Sequence, residues 1–184
     1  LMPGTYQLKY GFLQNGCSDT AIQRITVLPL PGTTLAQQAP VCLSNASFAL
    51  TGGSPAGGTY FGTGVSMGNF HPAVAGVGTH TIGYTTQNSN GCRDTAFQNI
   101  VVNPLPIAAI TQGAQVSFCS GSSIVLNASP IAGMHFRWLR NGLPVNGQQN
   151  AALTATQAGA YQVIVTNTST QCFDTSDITT VSIN

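Results

Sequence analysis

The chain repeats itself, and the repetition restricts it to folds built from small like units joined in series. Gly4-Thr-Tyr-Gln-Leu-Lys-Tyr10 returns as Gly78-Thr-His-Thr-Ile-Gly-Tyr84, and Gly16-Cys-Ser-Asp-Thr-Ala-Ile-Gln23 as Gly91-Cys-Arg-Asp-Thr-Ala-Phe-Gln98. The match runs on through Ile25, Val27, Pro29 and Pro31 against Ile100, Val102, Pro104 and Pro106. A weaker third copy reads Gly159-Ala-Tyr-Gln-Val-Ile-Val165, Cys172-Phe-Asp-Thr175 and Val181-Ser-Ile-Asn184. Spacing between Cys17, Cys92 and Cys172 sets the unit at about 75 to 80 residues.

This register predicts three segments. Residues 1–31 match only the C-terminal third of a repeat and are expected to be its last two strands. Residues 32–106 and 107–184 each make a whole repeat. Pro29-Leu-Pro31 and Pro104-Leu-Pro106 close the first two copies as short stiff linkers, because proline fixes its own φ and biases the preceding residue towards extended backbone.

No window of helical length shows a 3.6-residue apolar period, whereas alternation with period two is common and is bounded by Gly, Asn and Pro. In the third repeat Ile124, Leu126 and Ala128 alternate with polar or outward positions, as do Phe136 and Trp138, and then Tyr161, Val163 and Val165. Asn141-Gly142, directly after Trp138-Leu-Arg, predicts a two-residue hairpin turn with positive φ at both positions. Short strands with turn signals every 8 to 12 residues predict an all-β fold of antiparallel sandwiches.

At this point the third repeat resembles an immunoglobulin-like domain. Gly121-Ser-Ser-Ile-Val-Leu-Asn-Ala128 resembles strand B, Trp138 the core tryptophan of strand C, and Gln157-Ala-Gly-Ala-Tyr-Gln-Val163 the start of strand F with its tyrosine corner. Ala128 and Val163 stand where antibody domains carry their inter-sheet disulfide, while Cys119 and Cys172 lie just outside those strands. Each whole repeat holds two cysteines in corresponding places, so the expected bonds are Cys42 with Cys92 and Cys119 with Cys172. The partner of Cys17 is expected upstream. A loop of roughly 50 residues closed by one bond is worth on the order of 4 kcal/mol in the chain-entropy model. Disulfides imply an oxidising, extracellular compartment.

Charge is scarce: five Lys or Arg and four acids, all Asp, in 184 residues. The basic residues are scattered singly, which excludes a phosphate-binding stripe and with it nucleic acid as a partner. Asp19, Asp94 and Asp174 are one position repeated, so paired-carboxylate catalysis is starved too, and no enzyme is expected. The Gly-rich run Gly52–Gly58 lacks the Lys of a phosphate loop and the spacing of a nucleophile elbow, and reads as tight turns around a strand at Thr59-Tyr-Phe61. His80 takes the place of Tyr6 and Tyr161 and is expected to substitute in the tyrosine corner. His71 and His135 have no ligand partner at metal spacing, so neither metal nor cofactor is expected. Isopeptide bonds and calcium-stiffened linkers lack the Lys, Glu and clustered Asp they need. No apolar run is long enough to span a membrane.

Two modification patterns remain. Asn45-Ala-Ser47, Asn127-Ala-Ser129 and Asn167-Thr-Ser169 are N-glycosylation sequons. Asp19-Thr20-Ala21, Asp94-Thr95-Ala96 and, in part, Asp174-Thr175-Ser176 resemble the Asp-Thr-apolar acceptor of O-glycosylation in Bacteroidota, which makes Thr20 and Thr95 candidate sites. The alternative is a turn-capping Asp followed by the first Thr of a strand.

Finally, the run Val41-Cys-Leu-Ser-Asn-Ala-Ser-Phe-Ala-Leu-Thr-Gly-Gly-Ser-Pro-Ala-Gly-Gly-Thr-Tyr60, with Gly62-Thr-Gly-Val65 and Gly91-Cys92, resembles the tandem Ig-like repeats of very large surface proteins of Bacteroidota. Cys119-Ser-Gly-Ser-Ser-Ile-Val-Leu-Asn-Ala128 with Trp138-Leu-Arg-Asn-Gly142 resembles a companion repeat. The resemblance implies a secreted, type IX exported stalk, adhesin or filament segment at the cell surface, whose partners are neighbouring repeats or like chains. Two alternatives stay open: a glycan-binding module using Tyr60, Phe61 and Phe70, and a non-catalytic spacer of a secreted enzyme.

Overall fold

Period-two alternation becomes strand over much of the chain in the computed structural model, which describes residues 2–129 and 132–184. Strands β1 (Gly4–Gln14) and β2 (Cys17–Val27) form an antiparallel hairpin in unbroken register from the Gly4–Val27 pair to the Gln14–Cys17 pair. Asn15 and Gly16 between them take φ of 49° and 78°, matching the twist of the flanking strands. Short strands follow: β3 (Thr34–Leu35), β4 (Val41–Cys42), β5 (Phe48–Ala49), β6 (Gly53–Ser54), β7 (Thr59–Gly62), β8 (Val65–Ser66) and β9 (Asn69–Phe70). After one helical turn, α1 (Pro72–Ala75), come two long strands, β10 (Gly78–Gln87) and β11 (Arg93–Asn103). They build a sheet of order β4-β11-β10-β7, a three-stranded β5-β9-β8 sheet and a β3-β6 pair.

The remaining strands are β12 (Gln115–Phe118), β13 (Ile124–Asn127), β14 (Met134–Arg140), β15 (Leu143–Pro144), β16 (Ala152–Ala155), β17 (Gly159–Asn167), β18 (Phe173–Thr175) and β19 (Thr179–Ile183). One sheet runs β12-β19-β17-β14-β15 with β18 also on β17, and β13 pairs with β16 in the other. This is the strand order of an immunoglobulin-like sandwich, with β12 parallel to β19 and the other pairs antiparallel. Its core holds Leu126, Ala128, Phe136, Trp138, Leu153, Tyr161, Val163 and Val165, the inward-facing set expected from alternation. Trp138 is fully buried and its Nε1 donates to the Asn150 carbonyl at 2.9 Å, so the indole fills the core without an orphaned donor. The Tyr161 hydroxyl donates to the Gln157 carbonyl at 2.8 Å, closing the tyrosine corner, and Tyr6 does the same to Met2 at 2.7 Å. Asn141 and Gly142 have φ of 50° and 78°, the expected hairpin turn.

Two compact units divide the chain. The first takes residues up to Ala39, Ser47–Ala75 and Thr79–Ile100; the second takes Pro40–Ala46, Gly76–Gly78 and Val101–Asn184. Residues 40–46, which the repeat register places in the second copy, therefore belong to the second unit.

In the first unit the Gly-rich segment folds as turns around β7, as expected, and has a specific task. The Tyr84 hydroxyl accepts from Gly58 N–H at 2.9 Å and donates to the Pro55 carbonyl at 2.8 Å, while Gly53 N–H donates to the Tyr60 hydroxyl. The backbone lies flat on the Tyr84 ring: a Cβ on Gly58 would stand 2.5 Å from the ring and the Thr85 carbonyl, and one on Gly53 would stand 2.6 Å from the same ring. Glycine is required there by close approach.

The hairpin β1–β2 has no such cover. Ile82, Tyr84 and Ile100 are 0%, 2% and 0% exposed, whereas Leu8, Tyr10 and Ile25, which match them in the repeat, are 53%, 69% and 47% exposed. Matching apolar positions in matching hairpins thus differ in burial, which is supplied by the other strands of the repeat.

Replacing Gly58 by Ala is expected to cost on the order of 1 to 3 kcal/mol through overpacking. Gly11→Ala, with open space around it, should cost nothing. Thermal unfolding of the two variants checks this; equal midpoints would remove the account of the Gly-rich segment.

Candidate functional site

Among the sequence-derived sites, the cysteines are the ones the fold re-sorts. Cys42 is bonded to Cys172, with Cα atoms 5.5 Å apart and 130 residues between them. Both lie in the second compact unit. The expected bonds Cys42–Cys92 and Cys119–Cys172 are not formed, and Cys17, Cys92 and Cys119 are free.

Strand geometry explains both corrections. β4 runs parallel to the end of β11, with Cys42 opposite Asn103, while Cys92 immediately precedes Arg93 at the start of the same strand. Eleven residues of strand separate the two cysteines by about 35 Å at ~3.3 Å per residue. In the third repeat Cys119 follows Phe118, which is opposite Ile183, and β19 lies on the Gly159 end of β17. Cys172 sits at the other end of β17, its carbonyl accepting from Asn167 N–H at 2.8 Å. With Val181 opposite Gly159, the stretch from Gly159 to Asn167 alone separates the two cysteines by about 25 Å. A disulfide needs Cα atoms within about 7 Å, so neither intra-repeat bond is possible.

The ground around the bond is built from turns. Cys42 N–H donates to Asn45 Oδ1 at 2.7 Å and Asn45 N–H returns to the Cys42 carbonyl at 3.0 Å. Asn167 Oδ1 accepts from Ser169 and Thr170 N–H. The amide oxygens of two sequon residues, Asn45 and Asn167, thus serve to hold the loops that present the cysteines.

The repeated Asp keeps one geometry in all three copies. Asp19, Asp94 and Asp174 each accept from the following threonine N–H through Oδ1, at 2.8, 2.9 and 2.8 Å. Thr20, Thr95 and Thr175 are exposed. Asp94 does more: its Oδ2 accepts from Thr33 N–H at 2.8 Å, and Asn88 Nδ2 donates to the Pro29 carbonyl at 2.9 Å. The turn between β10 and β11 thereby grips the linker that leads into the first unit's sandwich.

The aromatic candidates separate. Phe70 is fully buried, against Phe48 and His80, and so is not a surface contact. Tyr60 is half-buried on the Tyr84 ring at 4.6 Å, its hydroxyl already taken by Gly53. Phe61 alone of the three is exposed, lying across from Gly83 in the sheet and edge-on to Phe97 at 6.0 Å. Phe97 was not singled out in the sequence; its place on the outward face of β11 is the signal that finds it. His71, His80 and His135 are dispersed, and no group of three or more His, Cys, Asp or Glu gathers among the described residues. Among those residues no helix is long and apolar enough to cross a membrane.

No family model matches the chain, and no curated protein matches it in sequence. Solved structures similar to it include murine CEACAM1b (21% identical, 59% of this chain, TM-score 0.36) and the N-terminal Ig1-2 module of the Drosophila receptor protein tyrosine phosphatase DLAR (16% identical, 80% of this chain and 95% of that one, TM-score 0.37). An I-band fragment of titin is 11% identical over 99% of this chain and 75% of its own, with a TM-score of 0.43. The chain spans 59% of the length of the CEACAM1b structure. At such TM-scores the fold rests on the chain's own strand order, on Trp138 and on the Tyr161 corner.

Removing the observed bond should matter and removing a free thiol should not. Cys42→Ser is expected to lower stability by on the order of 4 to 5 kcal/mol in the chain-entropy model and to expose Cys172 to alkylation. Cys92→Ser should leave the unfolding midpoint unchanged; the reverse pattern would restore the intra-repeat pairing.

Proposed function

We propose that this chain is a structural or adhesive segment of a long extracellular multi-repeat surface protein, in which immunoglobulin-like sandwiches in series act as a rod-like stalk. The observation that carries the reading is the tandem repeat held by a disulfide, on a chain with almost no charge with which to build a polar active site. The disulfide supports an oxidising, extracellular setting. The sequence resemblance to the large surface proteins of Bacteroidota supports type IX export and a cell-surface location. The uncovered apolar face of β1–β2 supports reading residues 1–31 as the last two strands of a further repeat, covered by its other strands.

A specific observation favours a second reading. Phe61 and Phe97 form an exposed edge-on pair on a sheet face, the kind of apolar platform on which a sugar ring stacks. In that reading the repeat binds surface glycans.

Small-angle scattering of the chain is expected to show an elongated particle whose maximum dimension grows by a constant step with each added repeat; a compact particle would contradict the stalk. A glycan array probed with the chain and with its Phe61→Ala/Phe97→Ala variant tests the second reading, since retention lost in the variant supports it and absence of retention in both removes it.

A further inference from the structure

We propose that Cys42–Cys172 is one instance of a rule: in an array of these repeats, the cysteine that ends the parallel first strand of each repeat is bonded to the turn cysteine of the next repeat. The rule covers the cysteines this chain leaves free, and it rests on the observed bond and the repeat register, independently of the stalk reading.

Backbone hydrogen bonds establish that the cysteines are equivalent in structure as well as in sequence. Leu43 N–H, just after Cys42, donates to the Asn103 carbonyl at 3.0 Å; Ser120 N–H, just after Cys119, donates to the Asn184 carbonyl at 3.1 Å. The turn that follows is also shared, with Asn45 N–H donating to Cys42 and Ser122 N–H to Cys119, both at 3.0 Å. Cys119 is therefore placed in its sandwich as Cys42 is, at the end of the last strand. On the other side, the Cys172 carbonyl accepts from Asn167 N–H, closing the turn between β17 and β18, and the Cys92 carbonyl accepts from Asn88 N–H, closing the turn between β10 and β11. The Asn88 grip on the Pro29 carbonyl shows that this turn faces the chain arriving from the repeat before it. Each repeat thus offers one cysteine towards its successor and one towards its predecessor. Cys17 and Cys119 are exposed and Cys92 is partly so, and each is free to meet such a partner.

The bonds drawn by this rule overlap. Each spans from one repeat into the next, so covalent paths alternate between bond and chain. A path crosses two repeats through one bond and one unbonded stretch, such as Cys92 to Cys119. That stretch is about 25 residues, on the order of 90 Å when fully extended. Two such paths run side by side, and pulling on the array cannot draw out a whole sandwich. The chemistry is ordinary thiol oxidation: two thiols give up two protons and two electrons to an oxidant, here oxidised glutathione, which leaves as two molecules of glutathione.

The test extends the full chain by a second copy of residues 104–184, so that Asn184 is followed by Pro104-Leu-Pro106 as Asn103 is. After refolding with oxidised and reduced glutathione, free thiols are alkylated and the protein is digested with trypsin without reduction. The expected map links the peptide 94–137, carrying Cys119, to the C-terminal peptide carrying the appended Cys172, beside the Cys42–Cys172 link. An alkylated Cys119, or Cys119 linked to the Cys172 of its own repeat, overturns the rule. In a Cys119→Ser version the appended Cys172 should be alkylated; its linkage to any other cysteine also overturns it.

Discussion

A long strand keeps its two ends apart, and in this molecule that constraint decides the covalent structure. In the second sequence repeat β10 and β11 are the long strands and in the third β17 is, and the cysteine-bearing turn stands at the opposite end of them from the parallel first strand. With one cysteine at each end, a repeat cannot close a bond on itself, whatever the spacing of its cysteines in sequence. The bond that does form joins a residue of the second sequence repeat to one of the third, and both its cysteines lie in the second compact unit.

Within each unit, cohesion comes from aromatic side chains whose polar atoms are all spoken for. Trp138 and Tyr161 each end in a hydrogen bond to a loop carbonyl, which ties a loop to the core at the same point that fills it. Tyr84 does this twice over, accepting from Gly58 and donating to Pro55, and the glycines are there because the ring leaves no room for a side chain. With so few charges, the neutral side chains Asn, Thr and Ser take over the work that ion pairs and charged caps do elsewhere. Asn45, Asn88 and Asn167 each order a turn through Oδ1.

Much of this is legible in the sequence. The alternation around Leu126, Trp138 and Val163 named the core faces, Asn141-Gly142 named its turn, and the position of Tyr161 named the corner, because each is a local signal read over a few residues. The disulfide pairing was not legible, since cysteine spacing measures contour length while bonding depends on which end of a strand a residue occupies. Phe70 looked like a surface aromatic beside a Gly-rich loop and proved buried, because β9 is the middle strand of a three-stranded sheet. Alternation along β11 marks Phe97 only as outward; its pairing with Phe61 needs the sheet order, with β10 and its Gly83 lying between the two strands.

The claim on which the account turns is the pairing of Cys42 with Cys172, and the positions of the basic residues make it directly measurable. Trypsin leaves Cys42 and Cys92 together in peptide 25–93, Cys119 in 94–137 and Cys172 in 141–184. A non-reducing digest of the alkylated 184-residue chain should show 25–93 joined to 141–184, with fragmentation placing the alkyl group of 25–93 on Cys92, and with Cys119 alkylated in 94–137. Finding 94–137 joined to 141–184, with 25–93 closed on itself, would contradict it.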